Sequence, residues 1–291
     1  MLWFGRRKLE GDPEFPDRDE PEITIKAKSG WQFINIAEIL EYRDLFYFLV
    51  TRDIKVRYAQ SVLGVGWAVL QPIASMIVFT VVFGKLARMS SDGVPYAIFS
   101  FSALVPWTYF SSSLSESTGS LITAHNMLTK VYFPRMIIPL APVFSKLVDF
   151  VICIVLVFIL MGWFRIAPTV WVVTLPLMVL LMMFAAAGLG MWLTALSIQY
   201  RDVKHGMNFA VRLMMYAAPV VYPLSLIPEK YRLVYGLNPM AGIIEGFRAA
   251  LLGTRPMPWD LLAEASIISF VIFIAGALYF RRLERFFADV A

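Results

Sequence analysis

Residues 52–72, RDIKVRYAQSVLGVGWAVLQP, join a charged segment directly to an apolar one. Four of the first six residues are charged, whereas from Val62 onward the chain is almost wholly apolar for more than twenty residues. A helix of about 20 apolar residues is long enough to cross roughly 30 Å of hydrocarbon. The stretch therefore predicts a helix that enters a membrane directly after a basic segment.

The composition of the whole chain predicts a membrane protein with several spans. Of the 291 residues, 59% are hydrophobic and only 16% are charged, against about 25% charged residues in soluble domains. The net charge of +5 is then informative about orientation in the bilayer, and we expect no nucleic-acid partner. Cys153 is the only cysteine and the two histidines are isolated, so we predict no metal site in this chain.

Six segments are apolar and long enough to span a bilayer as helices, which predicts an all-α polytopic fold. The start of the third is ambiguous, because the three prolines of PRMIIPLAPVFSK leave open an embedded elbow before the span. Small residues in the fourth, AAAGLG at 185–190, predict close helix packing. The predicted spans are residues 63–86, 96–115, 146–164, 169–196, 207–225 and 261–280.

The distribution of basic residues predicts the orientation. With six spans, both termini lie on the same side as the loops between spans 2 and 3 and between spans 4 and 5. That side holds 17 Lys and Arg residues and the opposite side holds seven. Because cytoplasmic loops carry the excess of basic residues, we expect both termini to be cytoplasmic.

The segments outside the spans differ from one another in character. Residues 1–30 are acidic and proline-containing, which predicts a disordered cytoplasmic arm. Residues 31–60 mix apolar and charged positions in a way that approximates an amphipathic helix lying in the cytoplasmic interface. Residues 61–285 form the predicted six-span domain, and residues 286–291 form a cytoplasmic tail.

The loop between spans 5 and 6 predicts a helical hairpin at residues 226–253. Two short helices are expected at 228–235 and 239–252, each beginning with a proline. Pro239 restricts Asn238 to an extended conformation, which separates the two helices. The second helix is about 21 Å long, too short to cross the bilayer. The pair therefore predicts a re-entrant hairpin on the outer side, acting either as a gate or as a cap with no moving part.

Two pairs of opposite charges are spaced three residues apart on helices. Glu245 and Arg248 are expected to fix the hairpin against a neighbour. Lys146 and Asp149 either neutralise each other on one helix face or, if the third span starts near Lys146, lie at the membrane interface; we expect the interfacial position. Neither pair has the character of a proton relay.

Several motifs resemble those of one family of membrane proteins. The sequence resembles the transmembrane subunit of ABC-2 type transporters, and within that class the permeases that export polysaccharides such as O-antigen, capsule and teichoic acid. The resemblance covers residues 35–285. The motifs that carry it are RDIKVRYAQSVLGVGWAVLQP at 52–72, VYFPRMIIPLAPVFSKLVD at 131–149, YRDV at 200–203, PVVYPLSLIPEKYR at 219–232 and LNPMAGIIEGFR at 237–248.

The resemblance implies a half-transporter in the bacterial inner membrane. Its expected partners are a second copy of the chain, two cytoplasmic ABC ATPase subunits, membrane lipid and a lipid-linked polysaccharide. The sequence contains no G-x-x-x-x-G-K-[ST] phosphate loop. We therefore expect no enzymatic activity and no cofactor in this chain, with ATP and Mg²⁺ bound by the ATPase. The loop after span 2 is the predicted ATPase-docking segment, through Met127, Leu128, Lys130, Val131, Tyr132 and Phe133.

Passage of a long glycan predicts two further sets of residues. Arg52, Lys55 and Arg57 are either plain membrane anchors or ligands of the substrate phosphate at the cytoplasmic leaflet. If the second role holds, charge reversal at Arg57 blocks export. Aromatic and polar residues that could line a sliding pathway for sugar rings are Trp67, Gln71, Phe79, Trp107, Tyr109, Tyr216 and Tyr222.

Other classes of function remain open at this stage. A membrane-bound transferase needs a clustered acid, base or metal site, and the candidate residues are scattered along the chain. A secondary transporter or channel usually shows inverted repeats or ionisable residues near the midplane, which we do not detect. Within the ABC-2 class, the alternatives are an exporter of capsule polysaccharide without a polyprenyl anchor, of a drug or of a lipid. The identity of the glycan is not predicted.

Overall fold

The structure, a computed structural model, describes residues 40–59, 63–124, 127, 133–200 and 202–284, except for the side chain of Leu233. Within these ranges the regular structure is entirely helical. The π-helical turns Thr80–Leu86 extend the helix Gly66–Phe79. The 3₁₀ turns Val170–Thr174 and Leu224–Leu226 precede the helices Leu175–Gln199 and Glu229–Gly236. The helices are α1 Arg43–Tyr58, α2 Gly66–Phe79, α3 Tyr96–Thr123, α4 Ile137–Phe164, α5 Leu175–Gln199, α6 Asp202–Ala217, α7 Glu229–Gly236, α8 Pro239–Leu252 and α9 Trp259–Leu283.

Helix α3 lies at the centre of the bundle and packs against α2, α4, α5, α6 and α8. Its buried face carries hydroxyl side chains as well as apolar ones. Ser117 Oγ donates to the carbonyl of Pro139 at 2.6 Å, and its own carbonyl accepts from Thr194 Oγ1 at 2.7 Å. These contacts join α3 to α4 and to α5. Among the buried hydroxyl groups of the central helix, those of Ser100, Ser102, Ser117 and Thr118 donate hydrogen bonds, whereas Ser113 Oγ has no hydrogen-bond partner in the described ranges.

Helices α5 and α9 form the most extensive helix contact, and two glycines make it possible. A Cβ atom added to Gly188 would lie 2.5 Å from the Cα atom of Phe273, and one added to Gly276 would lie 2.0 Å from the Gly188 carbonyl oxygen. The two backbones therefore touch directly. The close packing predicted for residues 185–190 is confirmed at this crossing.

Within the described ranges, four helical segments are long and apolar enough to cross a membrane: Gly66–Leu86, Ile137–Phe164, Val170–Gln199 and Trp259–Leu283. They correspond to the first, third, fourth and sixth predicted spans. Helix α3 has 28 residues, or about 42 Å, but its serines and threonines lower its hydropathy. Helix α6 has 16 residues, or about 24 Å, because the chain leaves the helix before Pro219 and Pro223 instead of continuing to residue 225.

The ambiguous start of the third span is resolved by helix α4, which is continuous from Ile137. Pro139 lies in its first turn, where a backbone N–H has no helical partner to lose. Pro142 lies inside the helix without ending it. No separate elbow precedes the span at residues 137–145, and Lys146 lies nine residues inside the helix.

Candidate functional site

Helix α1, part of the predicted interface helix, packs along α4. Leu49 is buried against Ile137 and Ala141. The rings of Phe46 and Phe144 meet edge-on, with 5.0 Å between their centroids. Other apolar side chains of α1 remain exposed on the chain, including Tyr47, Phe48 and Val56. One face of α1 is thus fixed on the bundle, and further apolar surface is left uncovered.

Arg57, near the end of α1, is held by side chains of α3 and α4. Its Nη1 donates to Asp149 Oδ2 at 3.0 Å and to the Ser145 carbonyl at 3.5 Å. Its Nη2 donates to Glu116 Oε2 at 2.9 Å and to Ser145 Oγ at 3.3 Å. A guanidinium has five N–H donors, of which four are on the two Nη atoms. These four contacts match the four Nη hydrogens in number, and only the Nε–H lies outside them.

Lys146 completes a group of four charges, Arg57, Glu116, Lys146 and Asp149, which we call the charge cluster. Its Nζ lies 2.5 Å from Glu116 Oε1 and 3.6 Å from Asp149 Oδ2. Two cations and two anions leave the cluster neutral. The pairing of Lys146 with Asp149 that their spacing suggests is present. Lys146 is buried, with 10% of its side chain exposed, and its nearer partner is Glu116 from another helix.

Tyr58 adds a hydrogen bond to the charge cluster. Its hydroxyl donates to Asp149 Oδ1. Burial, together with the hydrogen bond to the Asp149 carboxylate, raises the pKa of Tyr58 to about 12. The phenol therefore stays protonated and remains a donor throughout the physiological pH range.

The other two predicted phosphate ligands on α1 have different surroundings. Arg52 pairs with its neighbour Asp53, with 2.9 Å between Nη2 and Oδ1. Lys55 is exposed and makes no ion pair with any residue that the structure describes. Of the three predicted phosphate ligands, Lys55 is the one whose charge is not matched by a carboxylate among the described residues.

The predicted hairpin helices are present as α7 and α8. Helix α8 has the predicted bounds, and α7 is displaced by one residue. Asn238 has an extended backbone, and its side chain accepts a hydrogen bond from the backbone N–H of Met240 at 3.1 Å. Every residue of α8 is buried, because it packs against α3, α5 and α9. Its polar backbone is therefore enclosed by the protein's own helices.

Arg248 on α8 links the hairpin to the centre of the bundle. Its Nη1 lies 2.8 Å from Glu245 Oε1, which confirms the predicted pairing. Its Nη2 donates to the Val220 carbonyl at 2.9 Å, and its guanidinium carbon stacks over the Phe99 ring at 3.7 Å from the centroid. The Tyr222 carbonyl accepts a further bond from Nη1 at 3.3 Å. Only 2% of Arg248 is exposed, so its charge depends on these partners.

The predicted pathway residues of α2 lie at or near the surface of the chain. No residue of the apolar window in Gly66–Leu86 is buried. Trp67 is 52% exposed, and Gln71 is also exposed. Phe79 is half-buried and meets Phe83 edge-on, with 5.4 Å between the ring centroids. Helix α2 therefore presents aromatic and polar side chains that a single copy of the chain does not cover.

The remaining predicted pathway residues divide into two groups. Trp107 and Tyr109 on α3 are only 4% and 3% exposed, and the Tyr109 hydroxyl donates to the Val143 carbonyl of α4 at 2.8 Å. In this conformation they reach no surface that a substrate could touch. Tyr216 on α6 is exposed. Tyr222 is half-buried, with its hydroxyl 3.1 Å from that of Tyr235.

The predicted ATPase-docking segment is described at its two ends. Met127 packs near Tyr42 and Leu45 of the α1 region. Phe133 is buried in an apolar cluster with Phe280, so its ring is not available to a partner in this conformation. The other predicted docking residues, Leu128, Lys130, Val131 and Tyr132, lie outside the described residues.

Glu116 is the member of the charge cluster that sequence reasoning missed. It lies seven residues before the end of α3, and its partners are on α1 and α4. Spacings of i,i+3 and i,i+4 predict pairs within one helix and not between helices. The signal in the sequence for a role of Glu116 was therefore its position as a carboxylate inside an otherwise uncharged helix. In the described part of the chain, no group of three or more His, Cys, Asp and Glu side chains is arranged to hold a metal ion.

The apolar helical bundle defines an integral membrane protein, and comparison with known proteins defines its family. The chain belongs to the ABC-2 type transporter family, whose profile matches residues 44–252. It is similar to the O-antigen export system permease protein RfbA of Myxococcus xanthus, with 31% identity over 254 residues that cover 86% of this chain and 97% of that protein.

Two further relatives are named for similar functions. The O-antigen export system permease protein RfbA of Klebsiella pneumoniae is 26% identical over 248 residues, covering 85% of this chain and 95% of the relative. The polysialic acid transport protein KpsM of Escherichia coli is 22% identical over 244 residues, covering 81% and 92%. The relatives are thus named for export or transport of polysaccharides.

Proposed function

We propose that this chain is the permease subunit of an ATP-driven exporter that moves a lipid-linked, O-antigen-like polysaccharide across the bacterial inner membrane. The observation that carries the proposal is the similarity to an O-antigen export permease along 97% of the relative's length. The working unit is a homodimer with two separate ABC ATPase subunits, which bind ATP and Mg²⁺. This chain supplies the pathway and no catalytic residue.

In the proposed membrane arrangement, α3 and α6 join the four membrane-length helices to give six spans. Helix α3 is long enough but polar, and most of its residues are buried inside the bundle, so it needs little contact with lipid. Helix α1 lies in the cytoplasmic interface with its exposed apolar side chains in the headgroup region. Both termini are cytoplasmic, in keeping with the excess of basic residues on that side.

The proposed entry site is the basic end of α1. Lys55 makes the first contact with the substrate phosphate, because its ammonium group is exposed and unmatched by any carboxylate in the described ranges. Arg52 adds a second cation one turn earlier and is shared with Asp53. The charge of Arg57 is matched within the charge cluster, and its Nη donors are already engaged.

The proposed pathway runs between two copies of the chain along α2 and α6. Trp67, Gln71, Phe79, Tyr216 and Tyr222 present aromatic faces and polar groups there, and sugar rings can slide along such faces without a fixed register. The α7–α8 hairpin is proposed to close the outer end, with Asn238, Pro239, Glu245 and Arg248 holding it in place. The segment 127–133 is proposed to dock on the ATPase.

A second substrate class is supported by one comparison. KpsM of Escherichia coli is named for transport of polysialic acid, which is a different type of surface polysaccharide from O-antigen. The lower identity of that relative, 22% against 31%, makes a capsule-type polymer the second candidate.

ATP hydrolysis by the complex tests the proposal. The chain is co-expressed with the ABC ATPase encoded beside it, and hydrolysis is measured in nanodiscs with polyprenyl-pyrophosphate glycan, polysialic acid or a panel of drugs and simple lipids. We expect a stable complex whose hydrolysis rises with the lipid-linked glycan. Stimulation only by polysialic acid would favour the capsule alternative, and stimulation only by drugs or lipids would overturn the polysaccharide assignment.

A further inference from the structure

The charge cluster connects three helices, α1, α3 and α4, through charged side chains. Arg57 comes from α1, Glu116 from α3, and Lys146 and Asp149 from α4. The N–O distances are 2.9 Å from Arg57 to Glu116, 3.0 Å from Arg57 to Asp149 and 2.5 Å from Lys146 to Glu116. Each carboxylate therefore lies within 4 Å of both cations, and no member has a single partner only.

We infer that the charge cluster is a latch that fixes the end of α1 on α3 and α4, and that Glu116, Lys146 and Asp149 are positioning residues for the basic entry site. The inference about entry rests on the proposed function, whereas the latch itself rests only on the contacts. Arg57 is then a structural member of the latch and not a phosphate ligand.

The number of donors on Arg57 supports this assignment. Its four contacts to Glu116, Asp149 and the two oxygen atoms of Ser145 match the four Nη hydrogens in number. A bidentate phosphate contact normally uses two parallel N–H donors of the guanidinium. Arg57 would have to leave a carboxylate to make such a contact, and that would leave the carboxylate with Lys146 alone.

The depth of the cluster also favours a latch. Glu116 is about 10 Å along α3 from the end of that helix, and Lys146 is about 14 Å along α4 from its beginning. The side chains of Arg57, Lys146 and Asp149 are each at most one quarter exposed, whereas that of Glu116 is 43% exposed. Water screens the attraction of the two cations for Asp149 less than it does at the protein surface, and it screens their attraction for Glu116 more.

Charge balance predicts a specific rescue. The substitution Arg57→Gln leaves two carboxylates with one cation, so the cluster carries an uncompensated negative charge. The double substitution Arg57→Gln with Glu116→Gln leaves Lys146 and Asp149 as a balanced pair, and the two amides can hydrogen-bond to each other. A latch is therefore weakened by the single substitution and restored by the double one. A phosphate ligand at position 57 is lost in both variants.

Hydrogen–deuterium exchange of the α1 peptide, residues 43–58, tests the latch in the full chain in nanodiscs. We expect Arg57→Gln to accelerate exchange roughly fivefold, which corresponds to about 1 kcal/mol. The double variant should return exchange to near that of the unaltered chain. Asp44→Asn, which removes an exposed carboxylate from the same helix, is the matched control and should change nothing.

Glycan-stimulated ATP hydrolysis by the same variants tests the positioning role. Stimulation should fall with Arg57→Gln and recover in the double variant together with slow exchange. Unchanged exchange in Arg57→Gln, or stimulation that stays lost in the double variant while exchange recovers, would overturn the inference. If the unaltered complex shows no glycan stimulation, the proposed function fails, and the exchange measurement still decides whether the latch exists.

Discussion

At the residue scale, Arg248 is the side chain whose environment most constrains the hairpin. Its charge is enclosed by Glu245, by the carbonyls of Val220 and Tyr222 and by the Phe99 ring. A cation that is 98% removed from solvent is tolerated only when its partners replace water. The residue therefore ties α8 both to α3 and to the turn that follows α6.

Removing the Arg248 side chain should destabilise the protein strongly. Arg248→Met leaves Glu245 buried and unpaired, and breaking a buried ion pair costs about 3–5 kcal/mol. We expect a clear decrease in the Tm of the detergent-solubilised chain, and a smaller decrease for Arg248→Met with Glu245→Gln. Arg232→Met, which breaks only the weak surface pair with Glu229, should leave the Tm almost unchanged. A Tm for Arg248→Met equal to that of Arg232→Met would contradict this role.

At the element scale, the crossing of α5 and α9 depends on direct backbone contact at Gly188 and Gly276. The surrounding interior is tightly packed, and helix association in lipid relies on such close packing rather than on exclusion of water. The same two helices enclose α8, so their separation would also loosen the hairpin.

A methyl group at this crossing should be poorly tolerated. Gly188→Ala places a Cβ atom 2.5 Å from the Phe273 Cα atom and must push α5 and α9 apart, at a cost of about 1–3 kcal/mol. The Tm should fall accordingly. Gly162→Ala in α4 is the matched control, because no atom lies within 4 Å of the added Cβ. Equal Tm values for the two variants would show that the helices do not touch as described.

The helices were more predictable from the sequence than the contacts between them. Local signals in the sequence indicate helix α8: a proline at its N-terminus, an Asn cap before it and a glycine at 253. Hydropathy alone predicted the bounds of the segments Gly66–Leu86, Val170–Gln199 and Trp259–Leu283 to within three residues. The pairing of Glu116 with Arg57 and Lys146 depends on which helix faces meet. The burial of Trp107 depends on the same packing. Local residue spacing does not determine how helices pack.

At the scale of the whole molecule, helix α2 stands out because the rest of the described chain buries none of the residues in its apolar window. The helix also carries the exposed amide of Gln71. An amide that faces lipid loses its hydrogen bonds with water, whereas one in an aqueous pathway keeps them and one facing a second copy can replace them with protein groups. This asymmetry supports the proposed homodimer.

Disulfide cross-linking in membranes tests the predicted arrangement of the two copies. In a Cys153→Ser background, Gln71→Cys should form a covalent dimer on oxidation, because the proposed pathway brings two α2 helices together. Ile267→Cys, also at an exposed position, on α9, should remain monomeric. Cross-linking at position 267 but not at 71 would place the interface on the other side of the bundle.

The most direct test of the account is transport of a labelled lipid-linked glycan by the reconstituted permease–ATPase complex. The glycan is supplied on the ATPase side of sealed vesicles, and its arrival in the lumen is measured as protection from an added glycosidase. We expect the glycan to become protected from the glycosidase only when ATP and the partner ATPase are both present. Glycan that stays accessible to the glycosidase, in a complex that hydrolyses ATP, would contradict the account.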